Sequence, residues 1–140
     1  MNINPYLFFD GNCRQAFEFY AKCLNVEIKA MLTASDTPVG DQAPPEGRDQ
    51  IMHACIAIGD DLLMASDWNC GPNPVPYEKP RSFRVSLNVT SAAEAERVFH
   101  ALSEGGTTDM PLDKTFFSER FGMLTDRFGI PWMVNCEKGA

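Results

Sequence analysis

The sequence predicts an α+β fold in which one βαβββ module occurs twice, with curved mixed sheets and the helices on the outer face. Two helix-start signals at matching places support this, Asn12 with Gln15 and Ser91 with Glu94. Each predicted helix lies between two apolar strand-like runs, and each half ends in a hairpin signal. One module alone has a single sheet and a single helix, so it cannot cover both sheet faces. Two modules side by side are therefore expected to form a shared groove.

The first half begins with an apolar run and a helical repeat. Ala16, Phe17, Tyr20, Cys23 and Leu24 recur at helical spacing, and the following Asn25 is expected to end the helix in the left-handed conformation. Gly59-Asp60 is typical of a two-residue hairpin turn. The predicted elements are strand 6–9, helix 12–24, strand 26–33, and hairpin strands 51–58 and 61–66.

Two irregular segments separate these elements. Residues 34–50 are polar and rich in Pro and Gly, and they fit either a lid over a binding site or a solvated insertion. Residues 69–80 contain four prolines and predict a stiff extended connector. We expect a single domain over 1–140, with modules 1–68 and 81–137 joined by this connector.

The second half repeats the pattern. Apolar and polar residues alternate over 83–89, which predicts a half-buried strand. A helix follows, and Gly105-Gly106 ends it. A strand over 108–112 precedes a closing hairpin with strands 121–125 and 131–134. Its turn is 126–129.

Charge and composition limit the class of protein. The 140 residues carry a net charge of −7 and no concentrated basic block, which argues against nucleic-acid or anionic-membrane partners. The apolar runs are too short to span a bilayer, and a soluble cytoplasmic protein is the expectation. Five cysteines form no C-x-x-C pair, so free buried thiols are predicted rather than disulfides or a zinc site.

The chain resembles the vicinal oxygen chelate superfamily, which includes glyoxalase I and the bleomycin-resistance proteins. Within it, the sequence is most similar to the PhnB (YjdN) branch. The resemblance covers nearly the whole chain and implies the glyoxalase/bleomycin-resistance fold. Its matching stretches are 5–20, 52–59, 63–67, 114–122 and 125–135.

The resemblance also implies where a metal would bind. Enzymes of this superfamily hold a divalent metal with His, Glu or Gln side chains on the first and fourth strands of each module. The resemblance sets Pro5 at the first of these positions and Met133 at a position where the enzymes carry Glu. Neither suits a hard metal. No metal or other cofactor is therefore expected at the usual site, although a divalent metal held by relocated ligands stays open. Branch members are often labelled demethylubiquinone methyltransferases, but this sequence has no Gly-rich nucleotide loop for a methyl donor.

His53 is the first candidate for chemistry. A two-residue turn at Gly59-Asp60 sets it opposite Ser66, whereas a three-residue turn sets it opposite Asp67 and gives a His–carboxylate pair. An ordinary hydrogen bond to a neighbour on a half-covered sheet is the alternative. Cys55 shares the strand face of His53, which raises the further option of a thiol nucleophile with its base.

The C-terminal quarter supplies other candidates. Aromatic and charged residues cluster just before and within the closing hairpin. Glu119 and Arg120 fit an anion clamp, a mutual ion pair or a dimer contact. Trp68 and Trp132 are expected on groove walls. The predicted ligand-binding residues are His53, Ser66, Trp68, Phe116, Phe117, Arg120, Phe121, Met133 and Asn135.

Three functions remain open from the sequence. The first is binding of a small molecule in the groove between the modules, without catalysis. The second is a divalent-metal enzyme of lyase, isomerase or oxygenase type, with relocated ligands drawn from His53, Asp67 and Glu119. The third is a non-catalytic structural dimer. Exposed sheet edges favour a homodimer in each case.

Overall fold

The structure, a computed structural model, describes residues 1–38, 49–68 and 75–138. The chain divides into two compact units, Met1–Glu78 and Lys79–Ala140. Each unit has one α-helix and one four-stranded mixed sheet, which confirms the predicted α+β fold with a repeated βαβββ module. Most of the predicted 34–50 loop and the first half of the 69–80 connector lie outside the described residues.

The first unit follows the predicted order closely. Its sheet has the strand order β1-β4-β3-β2, with β1 parallel to β4 and the other pairs antiparallel. The predicted two-residue turn is confirmed, with Gly59 at a φ of +60°. A short 3-10 turn, Ala34–Asp36, follows β2. The elements are β1 Tyr6–Phe9, α1 Cys13–Leu24, β2 Ile28–Thr33, β3 Ile51–Ile58 and β4 Asp61–Asp67.

The core of the first unit lies between α1 and one face of the sheet. Phe9 on β1 meets Phe17 of the helix nearly edge to face, with ring centroids 6.2 Å apart. Tyr20, one helical turn on, also packs against Phe9. Ile56 on β3 is fully buried on the same side. Burying each such side chain contributes about 1.5–3 kcal/mol, so this face fixes the helix on the sheet.

The start of α1 differs from the prediction. Asn12 precedes the helix, but its side chain makes no capping hydrogen bond, and its backbone (φ −118°, ψ 26°) lacks the extended conformation of a capping residue. The expected pairing of Asn12 with Gln15 is therefore wrong. Asp67, at the end of β4, instead accepts a hydrogen bond from the Cys13 N–H. At the other end, Asn25 adopts the predicted left-handed conformation.

The second unit repeats the topology, with strand order β5-β8-β7-β6 and β5 parallel to β8. Its helix has the predicted local cap, because the Ser91 side chain accepts a hydrogen bond from the Glu94 N–H. The first strand begins at Val85 rather than at 83, since Ser82 turns the backbone with a φ of +65°. The elements are β5 Val85–Val89, α2 Ala92–Ser103, β6 Thr107–Asp113, β7 Ser118–Thr125 and β8 Pro131–Glu137.

The closing hairpin is held by a buried carboxylate. Asp126 accepts hydrogen bonds from the indole N–H of Trp132 at 2.8 Å and from the backbone N–H groups of Phe128 and Ile130. Trp132 is completely buried in the second core. The expectation that Trp132 lies on a groove wall is therefore wrong. The strand alternation directs it towards α2, and its polar N–H finds a partner within the turn.

Gly122 marks the close approach of β7 to its neighbours. A Cβ atom here would lie 2.7 Å from Cε2 of Phe99 on α2 and 2.9 Å from the Cα of Leu112 on β6. Only a residue without a side chain fits at this distance.

The described cysteines agree with the prediction. Cys13, Cys23, Cys55 and Cys136 are buried thiols outside any disulfide bond, while Cys70 lies outside the described residues.

Candidate functional site

Each sheet has a second face, directed away from its helix. In the first unit this face carries Tyr6 and Phe8, which are 39% and 42% exposed, whereas Leu7 and Phe9 between them are buried. The strand pairing brings Met64 and Ser66 of β4 to the same face. We call this surface the first open face.

His53 lies on the first open face. The pairing of Ala54 with Ala65, continued by one residue, sets His53 opposite Ser66. The two-residue turn fixes this register, so the alternative pairing of His53 with Asp67 is wrong. The Nδ1 atom of His53 lies 3.4 Å from the hydroxyl of Tyr6, a long contact between half-exposed groups. Cys55 shares the face, as predicted, but it is buried.

Asp67 lies on the opposite side of the same sheet, towards α1. It is 4% exposed. Its two carboxylate oxygens accept hydrogen bonds from the N–H groups of Cys13, at 2.9 Å, and Ile51, at 2.8 Å. Burial raises the pKa of Asp67, and the hydrogen bonds from Ile51 and Cys13 partly oppose that rise. Asp67 therefore joins β4 to the starts of α1 and β3, away from His53.

Trp68 follows β4 and extends the aromatic surface of the first open face. Its ring meets Phe8 edge to face, with centroids 5.1 Å apart. Its indole N–H donates a hydrogen bond to the carbonyl of Val75 at 2.6 Å. The ring is thus held in place while remaining partly accessible.

The second open face, on the far side of the second sheet from α2, carries amides and a thioether. Ser86 pairs with Met133, and Asn88 pairs with Asn135. The side-chain NH₂ of Asn135 donates a hydrogen bond to the side-chain oxygen of Asn88 at 3.1 Å. The Ser118 hydroxyl donates a short hydrogen bond to the side-chain oxygen of Asn135. These bonds fix the orientation of the Asn135 amide on the open face.

Three phenylalanines lie beside this amide group. Phe121 is opposite Asn135 on the second open face. Phe117 packs edge-on against Phe121, and Phe116 against Phe117, each with centroids 5.1 Å apart. Phe116 is 89% exposed and Phe117 half exposed, so the outer members of the row lie largely in solvent.

Glu119 and Arg120 form ion pairs instead of an open clamp. Arg120 pairs with Glu119 at 3.6 Å and with Glu96 of α2 at 3.2 Å. Arg120 therefore lies towards the helix, on the other side of the sheet from Phe121. The mutual ion pair foreseen as one alternative is present.

The N-terminal end of β5 holds a polar group that sequence reasoning did not single out. Nη1 of Arg84 donates to Asp109 on β6 at 3.0 Å, and to the carbonyl oxygens of Leu124 and Trp132. The Thr125 hydroxyl donates to the same carboxylate at 2.7 Å. The hydrogen bond from Thr125, with the smaller effect of Arg84, lowers the pKa of Asp109. The sequence showed Arg84 only as one polar residue of an alternating strand, and nothing in it linked Arg84 to Asp109.

A cavity of about 400 Å³ opens beside this group. It lies within the second unit and reaches Met133 of the second open face. Its volume falls in the usual range for small-molecule sites. The lining residues are Pro80, Arg81, Ser82, Phe83, Arg84, Thr125, Gly129, Pro131 and Met133.

Comparison with known proteins identifies the family. Residues 1–135 match the sequence model of the family described as 3-demethylubiquinone-9 3-methyltransferase. Protein YjdN of Escherichia coli is 32% identical, and the alignment covers 99% of this chain and 97% of that protein. The chain belongs to this PhnB-like family.

Solved structures agree with the family. Protein PA1353 from Pseudomonas aeruginosa is 49% identical, with a TM-score of 0.87 and 99% of each chain covered. A glyoxylase/bleomycin resistance protein/dioxygenase domain from Frankia sp. EAN1pec is 10% identical, with a TM-score of 0.67 and coverage of 100% of this chain and 94% of that one. The second likeness shows that the superfamily fold is shared.

By the resemblance to the superfamily, Pro5 and Met133 stand at positions where its metalloenzymes carry ligands. Pro5 offers only its carbonyl, which accepts a hydrogen bond from the Met64 N–H. Met64 on β4 pairs with Tyr6 on β1, and Met133 on β8 pairs with Ser86 on β5. In both units, a methionine thioether on the last strand therefore lies beside the first strand. Hard metals prefer carboxylate and imidazole ligands over thioethers. Nowhere in residues 1–38, 49–68 and 75–138 do three or more His, Cys, Asp or Glu side chains group as metal ligands.

None of the described helices of this PhnB-like chain is long and apolar enough to cross a membrane.

Proposed function

We propose that this PhnB-like chain binds a small organic molecule on the second open face, without a metal at the superfamily's usual positions. The cavity of about 400 Å³ is the observation that carries the proposal. It combines an apolar wall, including Phe83 and Met133, with a few fixed polar groups, as small-molecule sites commonly do. The oriented amide of Asn135 and the ring of Phe121 extend the same face.

The first open face is the second part of the proposal. Tyr6, Phe8 and Trp68 expose aromatic surface there, and the partly exposed His53 is their polar neighbour, whereas Ser66 is buried. Aromatic rings provide apolar contact area, while the His53 imidazole and the Tyr6 hydroxyl supply directional hydrogen bonds. The joint groove expected from the sequence stays a prediction.

The enzyme alternative has less support. Its suggested ligands His53 and Asp67 lie on opposite faces of one sheet, and Glu119 is paired with Arg120. His53 and Asp67 therefore do not share a site. The family description names a methyltransferase, but the sequence has no glycine-rich nucleotide loop, so we do not extend that activity to this chain.

A screen of fragment-sized compounds by saturation-transfer NMR tests the proposal. We expect binders, and we expect Met133→Glu to abolish them because it introduces a negative charge into the cavity wall. Ala93→Glu, on the exposed surface of α2, adds the same charge elsewhere and should leave binding intact. Binders that are unaffected by Met133→Glu, or a screen without any binder, would contradict the proposal.

We further propose that the chain acts in the cytoplasm as a homodimer. Strands β2 and β6 are sheet edges, and six of the seven β6 residues are exposed. Unpaired edges favour association with another chain. Sedimentation velocity should give a species of about twice the 15.6 kDa chain mass, and a species of single mass at micromolar concentration would contradict the homodimer.

A further inference from the structure

Arg84 is held by only one of its three guanidinium nitrogens. Among the described residues, every hydrogen bond of the Arg84 side chain is donated by Nη1. The acceptors are Asp109 and the carbonyl oxygens of Leu124 and Trp132. Within the described parts of the chain, Nε and Nη2 have no hydrogen-bond partner. The side chain is 26% exposed and lines the cavity of the second unit.

The open side of this guanidinium has a specific shape. Nε and Nη2 carry two parallel N–H bonds, and this edge matches the two oxygens of a carboxylate or two oxygens of a phosphate. Because Nη1 is already fixed on two strand carbonyls, the fork is oriented before any ligand arrives. Binding therefore orders less of the side chain than it would for a free arginine.

The local charge also favours an anion. Arg81 lines the same cavity, is exposed, and makes no ion pair or hydrogen bond in the described residues. The Lys79 side chain passes Gly129, another lining residue. Three cations thus lie at or beside this cavity, and it has no carboxylate among its described lining residues, although the whole chain has a net charge of −7. An oxyanion is attracted to this end of the sheet while the rest of the surface repels it.

The remaining wall is apolar. Phe83 is 51% exposed, and Pro131 and Met133 of the neighbouring strand β8 also line the cavity. Such a wall accommodates a hydrocarbon or aromatic body attached to the anionic group.

We propose that the Nε–Nη2 edge of Arg84, together with Arg81, is an oxyanion subsite for a small molecule with an apolar body and one carboxylate or phosphate group. The inference rests on the proposed small-molecule function and specifies the chemical class of its ligand. It assigns Arg84 two separate tasks, since Nη1 holds the strands and the other edge receives the ligand.

Titration of the intact chain with three probes tests this subsite. Benzoate, phenyl phosphate and benzyl alcohol share an aromatic ring, and only the first two carry an oxyanion. We expect at least one anion to bind about tenfold more tightly than the alcohol, because charge-assisted hydrogen bonds are the stronger kind. The preferred anion distinguishes a carboxylate ligand from a phosphate ligand.

Variants locate the effect. Arg81→Gln should weaken anion binding several-fold without changing the weak binding of benzyl alcohol. Arg84→Lys keeps the charge but removes the fork, and it should weaken the anions more than Arg81→Gln does. Arg14→Gln, on α1 of the first unit, is the control, because it removes one positive charge as Arg81→Gln does. Circular dichroism of each variant checks that the fold is retained.

Two results overturn the subsite. If the anions bind no better than benzyl alcohol, the subsite is wrong, but binding of all three at the Met133 wall still supports the proposed function. If anions bind more tightly and neither arginine variant weakens them, the anion binds elsewhere. A failure of all three probes also overturns the subsite, and the wider fragment screen then decides the fate of the proposed function separately.

Discussion

Nη1 of Arg84 lies 3.0 Å from the Oδ2 atom of Asp109, and this ion pair links the first strand of the second sheet to its far edge. Between the two residues, Arg84 also bonds the carbonyls of β7 and β8. A single side chain thus spans all four strands at one end of the sheet.

The Asp109 carboxylate gives stability that depends on pH. Its pKa is lowered, chiefly by the Thr125 hydroxyl and also by Arg84, so its stabilising effect is present above its ordinary value of 3.8. That effect is lost as the pH falls through the lowered pKa. We expect the thermal midpoint of the wild type to exceed that of Asp109→Asn at pH 7, and the difference to shrink below pH 3.8. Asp113→Asn on the same strand is the control. A difference that stays constant down to pH 2 contradicts the prediction.

Asp67 is expected to be a structural residue. Asp67→Ala removes the acceptor of two buried N–H groups, those of Cys13 and Ile51, and should lower the free energy of unfolding by about 2–3 kcal/mol. Urea denaturation measures this loss. Asp60→Ala, in the exposed turn, should change stability by less than about 0.5 kcal/mol. Equal effects from the two variants would show that Asp67 does not hold the helix start.

Gly122 is expected to tolerate no side chain. Gly122→Ala places a methyl group 2.7 Å from Phe99 and 2.9 Å from the backbone of Leu112, so the helix or the edge strand must shift. We expect a loss of about 3 kcal/mol in the free energy of unfolding. Gly59→Ala meets no atom within 4 Å and incurs only the left-handed backbone cost of about 1 kcal/mol. The prediction fails if Gly59→Ala is the more destabilising change in chemical denaturation.

The two faces of β7 should differ in their effect on ligand binding. Phe121→Ala removes a ring from the second open face and should weaken the fragments found by NMR about tenfold. Arg120→Gln alters an ion pair on the helix side and should leave their affinity unchanged, with at most about 1 kcal/mol of lost stability. If Arg120→Gln weakens fragment binding and Phe121→Ala does not, the ligand binds on the helix side of the sheet instead.

Divalent metals should not stabilise the native chain. A ligand that binds only the folded state stabilises it by RT ln(1 + [L]/Kd), so the thermal midpoint rises as the ligand concentration exceeds Kd. Because Pro5 and Met133 hold the usual positions and His53 is separated from Asp67, we expect no shift with Mn²⁺, Zn²⁺ or Mg²⁺ after chelator treatment. A reproducible rise of the thermal midpoint with any of the three metals would contradict this prediction and favour the metal-dependent enzyme.

Local sequence patterns predicted the elements well where the signal was local. Gly59-Asp60 set the hairpin turn, Ser91 set the start of α2, and Asn25 set the end of α1, because each acts through its own backbone or a residue three positions away. The repeat and the resemblance together then gave the fold.

Tertiary contacts account for what the sequence did not reveal. Asn12 has the right residue type for a cap, but the amide of Cys13 is bound by Asp67, which is 54 positions further along the chain than Cys13. Trp132 is buried because Asp126 satisfies its N–H, which no periodicity could show. Arg84 and Asp109 meet only through the strand order β5-β8-β7-β6. The residues that line the cavity, 80–84 and four positions from 125 to 133, also come together only through the fold, so the cavity was missed.

The different caps of the two helices have a consequence for synthesis on the ribosome. The turn that begins α2 is complete once Glu94 has been added, since Ser91 is its acceptor. The turn that begins α1 must wait for Asp67, more than fifty residues later, before its first amide is bound. In the growing chain, the helix made first is thus the one completed by later residues.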